Sequence, residues 1–461
     1  MKNHSQRGDG TRIDRRRFLK VVGGTAAAVA LAPPRKAPAQ PKGLTLKAII
    51  HLYPPTGAVQ GLLPAYEKET GIKVTFDQIP FGEGYAKQMA ELVTGGARYD
   101  MLTPWSFWSN GEIGTGQLEV LDDYVAKAGP ALDWNDIIPV QRDLFKYAGH
   151  QYGVPISSQT FLLAYRHDIY SAAGLTPPRD GVLTSDAFAA NVKKLHKFQK
   201  DVHGMVWHHK PVAAAAMSWA IMFNAAGGRW FDERLNPLFN SPTAALVTEY
   251  YTKEIIPYMP PDVLTYGNTE RDETYQRGLA VQQIPPLSRI PAIFDPQRSK
   301  VQDKTTFVTV PFKGLGGTKY ERSPAVDEGW AFVINKNSKN KKEAFDFIVW
   351  ASTREKQMRM ALESAIAPNR ASVLADREVR AKHGWLAMAE RQFKANLPEL
   401  QFPKIPEWGE IMEKHGNELH VAYARQASVK EALDRSNAAV VALLKERGYK
   451  VGTHTGKLPW E

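Results

Sequence analysis

From Lys42 to His51 (KGLTLKAIIH) apolar and β-branched residues crowd into a short run that stops at Tyr53-Pro54-Pro55-Thr56-Gly57, which predicts a strand followed by a loop. Val59 to Thr70 spaces its apolar residues as a helix does, and Gly71 stops it. Ile72 to Ile79 (IKVTFDQI) alternates with period two, the mark of a second strand. Tyr85 to Ala97 returns to an amphipathic helical pattern ending in glycines, and Tyr99 to Thr103 predicts a short strand leading to Trp105 and Trp108. Strands and helices in turn argue for an α/β chain around a mainly parallel sheet. Ligands bind such sheets beyond the carboxyl ends of the strands, where the segments 53–57 and 103–108 would lie.

The second half keeps the pattern. Ser241-Pro242 begins a helix with a cap residue and a proline in the first turn, where a missing N–H costs nothing. Ser338 is expected to open a helix through Ala344, Phe345, Phe347, Ile348 and Trp350, with Trp350 in the core. Ser352 and Glu355 have capping-box spacing for the next helix. Beyond that the chain reads as predominantly helical, and no internal repeat is evident.

Length adds a constraint: 461 residues are too many for one core, so at least two lobes are expected. The formal charge of +11 suggests an anionic partner until its distribution is read. Residues 1–39 hold nine basic side chains against two acids, which leaves +4 for the remainder, with no basic block after Lys42. A nucleic-acid footprint needs clustered charge, so none is expected.

The basic N-terminus reads as an address. Asp14-Arg15-Arg16-Arg17-Phe18-Leu19-Lys20 resembles a twin-arginine export motif, with Asp in place of the usual Ser or Thr. The apolar stretch Val21–Ala32 is twelve residues long, against the roughly 20 needed to cross a bilayer. Ala37-Pro38-Ala39 offers small residues for cleavage, so residues 1–39 are expected to be a signal peptide and the mature protein to start at Gln40 in the periplasm. The chain has no cysteine, which excludes disulfides, thiolate metal sites, a cysteine nucleophile and a cysteine-linked lipid anchor.

Several ordered segments resemble the extracellular solute-binding proteins of the sugar-import (ABC transporter) type, the family that includes maltose-binding protein. They are Pro64–Val74 (PAYEKETGIKV), Tyr152-Gly153-Val154-Pro155 with Leu163–Asp168 (LAYRHD), Gly228–Asp232 (GRWFD), Phe239-Asn240-Ser241-Pro242, Gly329–Ser338 (GWAFVINKNS) running into Ala344–Ile348, Ala367-Pro368-Asn369-Arg370 and Ala427–Leu433 (ASVKEAL). The resemblance implies a two-lobed periplasmic-binding-protein fold of type II, whose lobes clamp a ligand by hinge closure. By analogy lobe one spans 41–154 plus 286–336 and lobe two 155–285 plus 337–461. It further implies a monomeric receptor that delivers a carbohydrate or polyol to the permease subunits of an importer, without a cofactor. One departure stands out. After Gly278 the family usually carries a glycine-tryptophan pair, where this chain has Pro285-Pro286-Leu287-Ser288-Arg289, which leaves room for an acidic or phosphorylated solute.

Sugars present apolar C–H faces and a rim of hydroxyls, so their sites combine flat aromatics with a few hydrogen-bonding groups. Trp105, Trp108, Trp230 and Trp330 are the aromatic candidates, although tryptophans also fill cores. Gln159, in the run Ser157-Ser158-Gln159-Thr160 after the first crossover, is the best candidate for a hydroxyl contact; Tyr53 and Thr56 come from the first loop, and Arg289 could pair with a carboxylate or phosphate. His208 and His209 are adjacent and so do not face one metal without a further ligand. The acids of Asp122-Asp123 and Arg271-Asp272-Glu273 read as solvated charges at helix ends. A secreted carbohydrate-active enzyme, the rival reading, would need two carboxylates across a scissile bond. No G-x-S-x-G, H-E-x-x-H or phosphate-loop motif occurs, and Gly314-Leu315-Gly316-Gly317 lacks the following Lys-Ser/Thr.

Overall fold

Among the described residues ten short strands form two sheets and one hairpin. The computed structural model describes residues 43–458 apart from 177, 179, 180, 211 and 212, so the expected export leader and its cleavage site lie outside the described residues. The strands are β1 (Thr45–His51), β2 (Lys73–Ile79), β3 (Met101–Leu102), β4 (Lys146–Tyr147), β5 (His150–Gln151), β6 (Gly153–Pro155), β7 (Leu163–Arg166), β8 (Gln282–Gln283), β9 (Thr305–Val308) and β10 (Ala331–Ile334). The first sheet has the order β2-β1-β3-β10-β6. β1 runs parallel to β2 and β3, and β10 runs antiparallel to β3 and β6. β1 is buried along most of its length because helices cover both faces, as in parallel sheets generally. The second sheet has the order β8-β7-β9, with β7 antiparallel to both neighbours, and β4 and β5 make the hairpin.

Two segments differ from their sequence reading for local reasons. The stretch 53–57 is helix, Pro54–Gln60, because its prolines fill the first turn and Thr56 Oγ1 accepts from Tyr53 N and donates to His51 O. The expected single helix 59–70 is split: Pro64 sits in the first turn of a separate helix, Leu63–Thr70. Further on, Ser241 caps Pro242–Tyr250 by accepting from Ala244 N. Ser241→Ala is therefore expected to lower stability by about 1 kcal/mol, read as a shift in the urea midpoint. An unchanged midpoint would show that this cap contributes nothing. The helix expected from Ser338 begins instead at Lys341, because the Ser338 hydroxyl donates to Asp100 Oδ1 at 2.6 Å. The Ser352–Glu355 capping box does not form: Thr353 precedes the helix Arg354–Ser364, and Glu355 pairs with Lys356.

The sheets are joined by three adjacent segments. Residues 156–162 leave β6 for β7, and Phe161 bridges Pro286 while Gln159 bridges Glu328. The expected lobe ranges do not follow the pairing of the sheets. β9 lies within 286–336 yet pairs with β7 of the second sheet. Helix Lys341–Ala351 lies beyond 336 yet packs on the first sheet, where the Phe347 ring meets Phe332 at 5.6 Å and Phe76 at 6.4 Å. β9 is a short run of β-branched and apolar residues, and such a run fits either sheet until its partners are known. Helices Trp408–Tyr423 and Val429–Glu446 pack on Ala213–Ala225 and Pro242–Tyr250. No helix of the described residues is long and apolar enough to cross a membrane.

Candidate functional site

Three turns meet at one edge of the first sheet. Tyr53 follows β1, Trp105 follows β3, and Trp330 immediately precedes the antiparallel β10, so all three emerge on the same side. A backbone bridge ties Trp105 to Trp330. Across from them stand Phe161, Ser288 and Arg289 from the joining segments, His208 and Lys210, and the first turn of helix Asn268–Gln276. Together these groups enclose a cleft of about 330 Å³, near the lower end of the roughly 300–1,000 Å³ usual for small-molecule sites.

The aromatic wall is a ladder of near-parallel rings. Phe107 and Trp105 are 4.8 Å apart, Trp105 and Trp330 5.6 Å, and Trp330 and Tyr53 3.7 Å, with interplanar angles of 15°, 16° and 25°. Rings that stack on one another have less face to offer a sugar than rings lining an open slot. At the foot of this ladder lies Glu328. Its Oε2 accepts from Trp105 Nε1 at 3.0 Å, and the residue is buried. Burial pushes its carboxyl up to about 7, against the opposing pull of the Trp105 hydrogen bond and the charges of Arg271 and Arg289. Burial likewise raises the Tyr53 phenol well above its usual range, with the Glu328 charge adding to the effect and the neighbouring Ser288 hydroxyl reducing it. The next residue along, Asp327, is pushed up to about 8 by burial and accepts from Asn396.

The facing wall is charged. Arg271 is fully buried and donates from Nε and Nη2 to Asp272 Oδ1 at 3.0 and 2.6 Å, and from Nη1 to His208 Nδ1 at 2.9 Å. Burial and the adjacent Arg271 hold His208 well below its usual pKa, so its ring is neutral and carries its proton on Nε2. Arg289 approaches Asp272 Oδ2 at 3.7 Å. The reading of Asp272 as a solvated helix-end charge is thus overturned: it is buried against the Arg271 guanidinium, whereas Glu273 beside it is exposed. Asp122 and Asp123 do open a helix, Asp122–Ala128.

Of the sequence candidates, the structure brings Tyr53, Trp105, Arg289 and Trp330 together at the cleft. The others serve the frame. Thr56 bonds the backbone as described above. Trp108 stands edge-on to Trp105 and stacks on Tyr85 behind the cleft. Trp230 packs among Trp219, Phe223 and Trp408 and donates to Leu400 O. Gln159 is buried: its Oε1 accepts from Ser288 N, and its backbone is held on both sides by the Gln141 amide. It ties the joining segments together. His208 and His209 part company, since His209 bonds Tyr251 in the helical core, and no cluster of three metal-ligating side chains occurs among the described residues. Glu328, Ser288 and Phe161 were missed. Glu328 directly precedes the Gly329-Trp330 segment, and that adjacency could have marked it.

The family model for bacterial extracellular solute-binding protein matches residues 54–358. A mannitol-binding protein of Pseudomonas aeruginosa is 25% identical over 375 residues, covering 78% of this chain and 83% of its own. A probable amino-acid ABC transporter periplasmic-binding protein of Sinorhizobium fredii is 22% identical over 388 residues, with coverage of 83% and 85%. Among solved structures, an ABC transporter solute-binding protein of Agrobacterium radiobacter K84 in complex with ribitol superposes with a TM-score of 0.79 at 26% identity, covering 87% of this chain and 99% of that one. The two sheets are accordingly the cores of a two-lobed type II fold.

Proposed function

The chain belongs to the bacterial extracellular solute-binding proteins, and from that membership we propose that it captures a small polyhydroxylated solute, a carbohydrate or polyol, for an ABC importer. The observation that carries this reading is the cleft at the joining segments, where an aromatic ladder, a buried carboxylate and an arginine face one another. Hydroxyl groups both donate and accept, so a polyol can satisfy Glu328 and Arg289 together while its C–H edges lie against Tyr53 and Trp330. The ribitol and mannitol bound by the relatives are solutes of this size and chemistry. The action is reversible closure of the lobes around the ligand, with the closed form presented to the permease subunits. No covalent step is required, and the protein acts as a monomeric receptor rather than an enzyme. Its place of action is the periplasm, reached through the twin-arginine-type leader with cleavage near Ala39. The lobes meet at 156–162, 284–288 and 326–330, with residues 341–351 returned to lobe one.

A thermal-shift screen of the mature protein tests the reading. Alditols, aldoses and sugar acids at 100 times Kd should stabilise by about 2.7 kcal/mol, a shift of several degrees. Stabilisation by amino acids alone, in line with the Sinorhizobium relative, would refute the polyhydroxylated class.

A further inference from the structure

The charged wall of the cleft holds its cations and anions in unequal numbers. Asp272 is one carboxylate between two guanidiniums. Arg271 donates two hydrogen bonds to its Oδ1, while Arg289 stands 3.7 Å from Oδ2, beyond hydrogen-bonding distance. His208, the other neighbour of Arg271, is neutral and supplies no counter-charge. Glu270 and Lys210 also line the cleft, but they offset each other, and Glu270 Oε2 is occupied by Gly267 N at 2.8 Å. Glu328, in the opposite wall, feels the charges of both arginines but is hydrogen-bonded to Trp105 rather than to either of them. Arg289 therefore reaches the cleft with its side chain 35% exposed and its planar fork uncommitted, whereas Arg271 is sealed at 0%. A guanidinium desolvated by closure of the lobes needs a partner, and a carboxylate matches its fork with two parallel hydrogen bonds.

We propose that the preferred solute is a polyhydroxy carboxylate, a sugar acid of the aldonate kind, with its carboxylate on Arg289 and its hydroxyl chain running toward Glu328. The wall lacks one unit of negative charge, which suits a carboxylate and not a phosphate dianion. This rests on the polyhydroxylated reading above and sharpens it: Arg289 becomes the residue that selects acid over alcohol.

Calorimetric titration with matched alditol and aldonate pairs, D-glucitol against D-gluconate and ribitol against D-ribonate, decides it. At least one aldonate is expected to bind roughly 10–100-fold more tightly than its alditol, the range for a charged hydrogen-bonded pair. Its affinity should weaken between 50 and 500 mM KCl while that of the alditol holds. In Arg289→Gln the preference should collapse to within a few-fold with little change for the alditol, and Arg289→Lys should fall between, because lysine keeps the charge without the fork. The salt series uses the unaltered protein and so stands whether or not a variant folds. If alditols or aldoses bind at least as tightly as the aldonates, the acid preference is wrong and the polyhydroxylated reading survives. If none of these binds and an amino acid does, both are wrong.

Discussion

Glu328→Gln is expected to make the protein more stable at neutral pH and a poorer receptor. The carboxyl titrates near 4.5 in an unfolded chain and at about 7 in the fold. Between those values the folded state binds the proton that the unfolded state has released, so stability falls as pH rises through this window and stays low above it. Glutamine has nothing to release, and its amide oxygen can still accept from Trp105 Nε1. The variant should match the wild type below about pH 4.5 and gain on the order of 2–3 kcal/mol above pH 7. Ligand affinity should meanwhile fall roughly 10–100-fold, as befits the loss of a charge-assisted hydrogen bond to a hydroxyl. Urea unfolding at pH 4.5 and pH 8, with titration of the tightest ligand from the screen, reads both effects. An equal stability difference at the two pH values would show that Glu328 is not held toward its neutral form.

Arg370→Ala should cost about 3–5 kcal/mol of stability. This side chain is 1% exposed and its guanidinium is shared among four acceptors. Nε donates to Ser352 O, Nη2 to Leu132 O, and Nη1 to Asp133 O at 3.3 Å and to Asp136 Oδ2 at 3.2 Å. Truncation strands three carbonyls and a carboxylate that Ser372 alone would then hold. The affected segments, 132–136 and 352–372, flank the first sheet and not the cleft, so ligand affinity of the folded fraction should stay within a few-fold. Chemical unfolding and titration together check this, and a loss under 1 kcal/mol would mean that the segment repacks around the gap.

Legibility in the sequence followed the range of the interaction. The strand at 72–79 and the helix capped by Ser241 are set by neighbours a few residues away, and they appear nearly where the pattern puts them. Tyr53, Trp105 and Trp330 were found because each sits at a strand end, and strand ends in α/β sheets converge on one edge. Trp230 and Gln159 show the limit. Both have the right chemistry for a site, yet one is sealed against Trp219 and Trp408 and the other spends its amide oxygen on Ser288 N.

The sequence by itself determined the alternation of strand and helix, the absence of cysteine chemistry and nearly all the family segments, because periodicity and composition are properties of the chain alone. Only the tertiary structure decided that β9 joins β7, that Arg271 and Asp272 are buried, and that the ring faces stack on one another at Glu328. Those facts depend on residues more than a hundred positions apart, such as Trp105 and Glu328, and on how much water their meeting excludes. Desolvation turns an ordinary acid and an ordinary arginine into a selective site, and no local pattern records it.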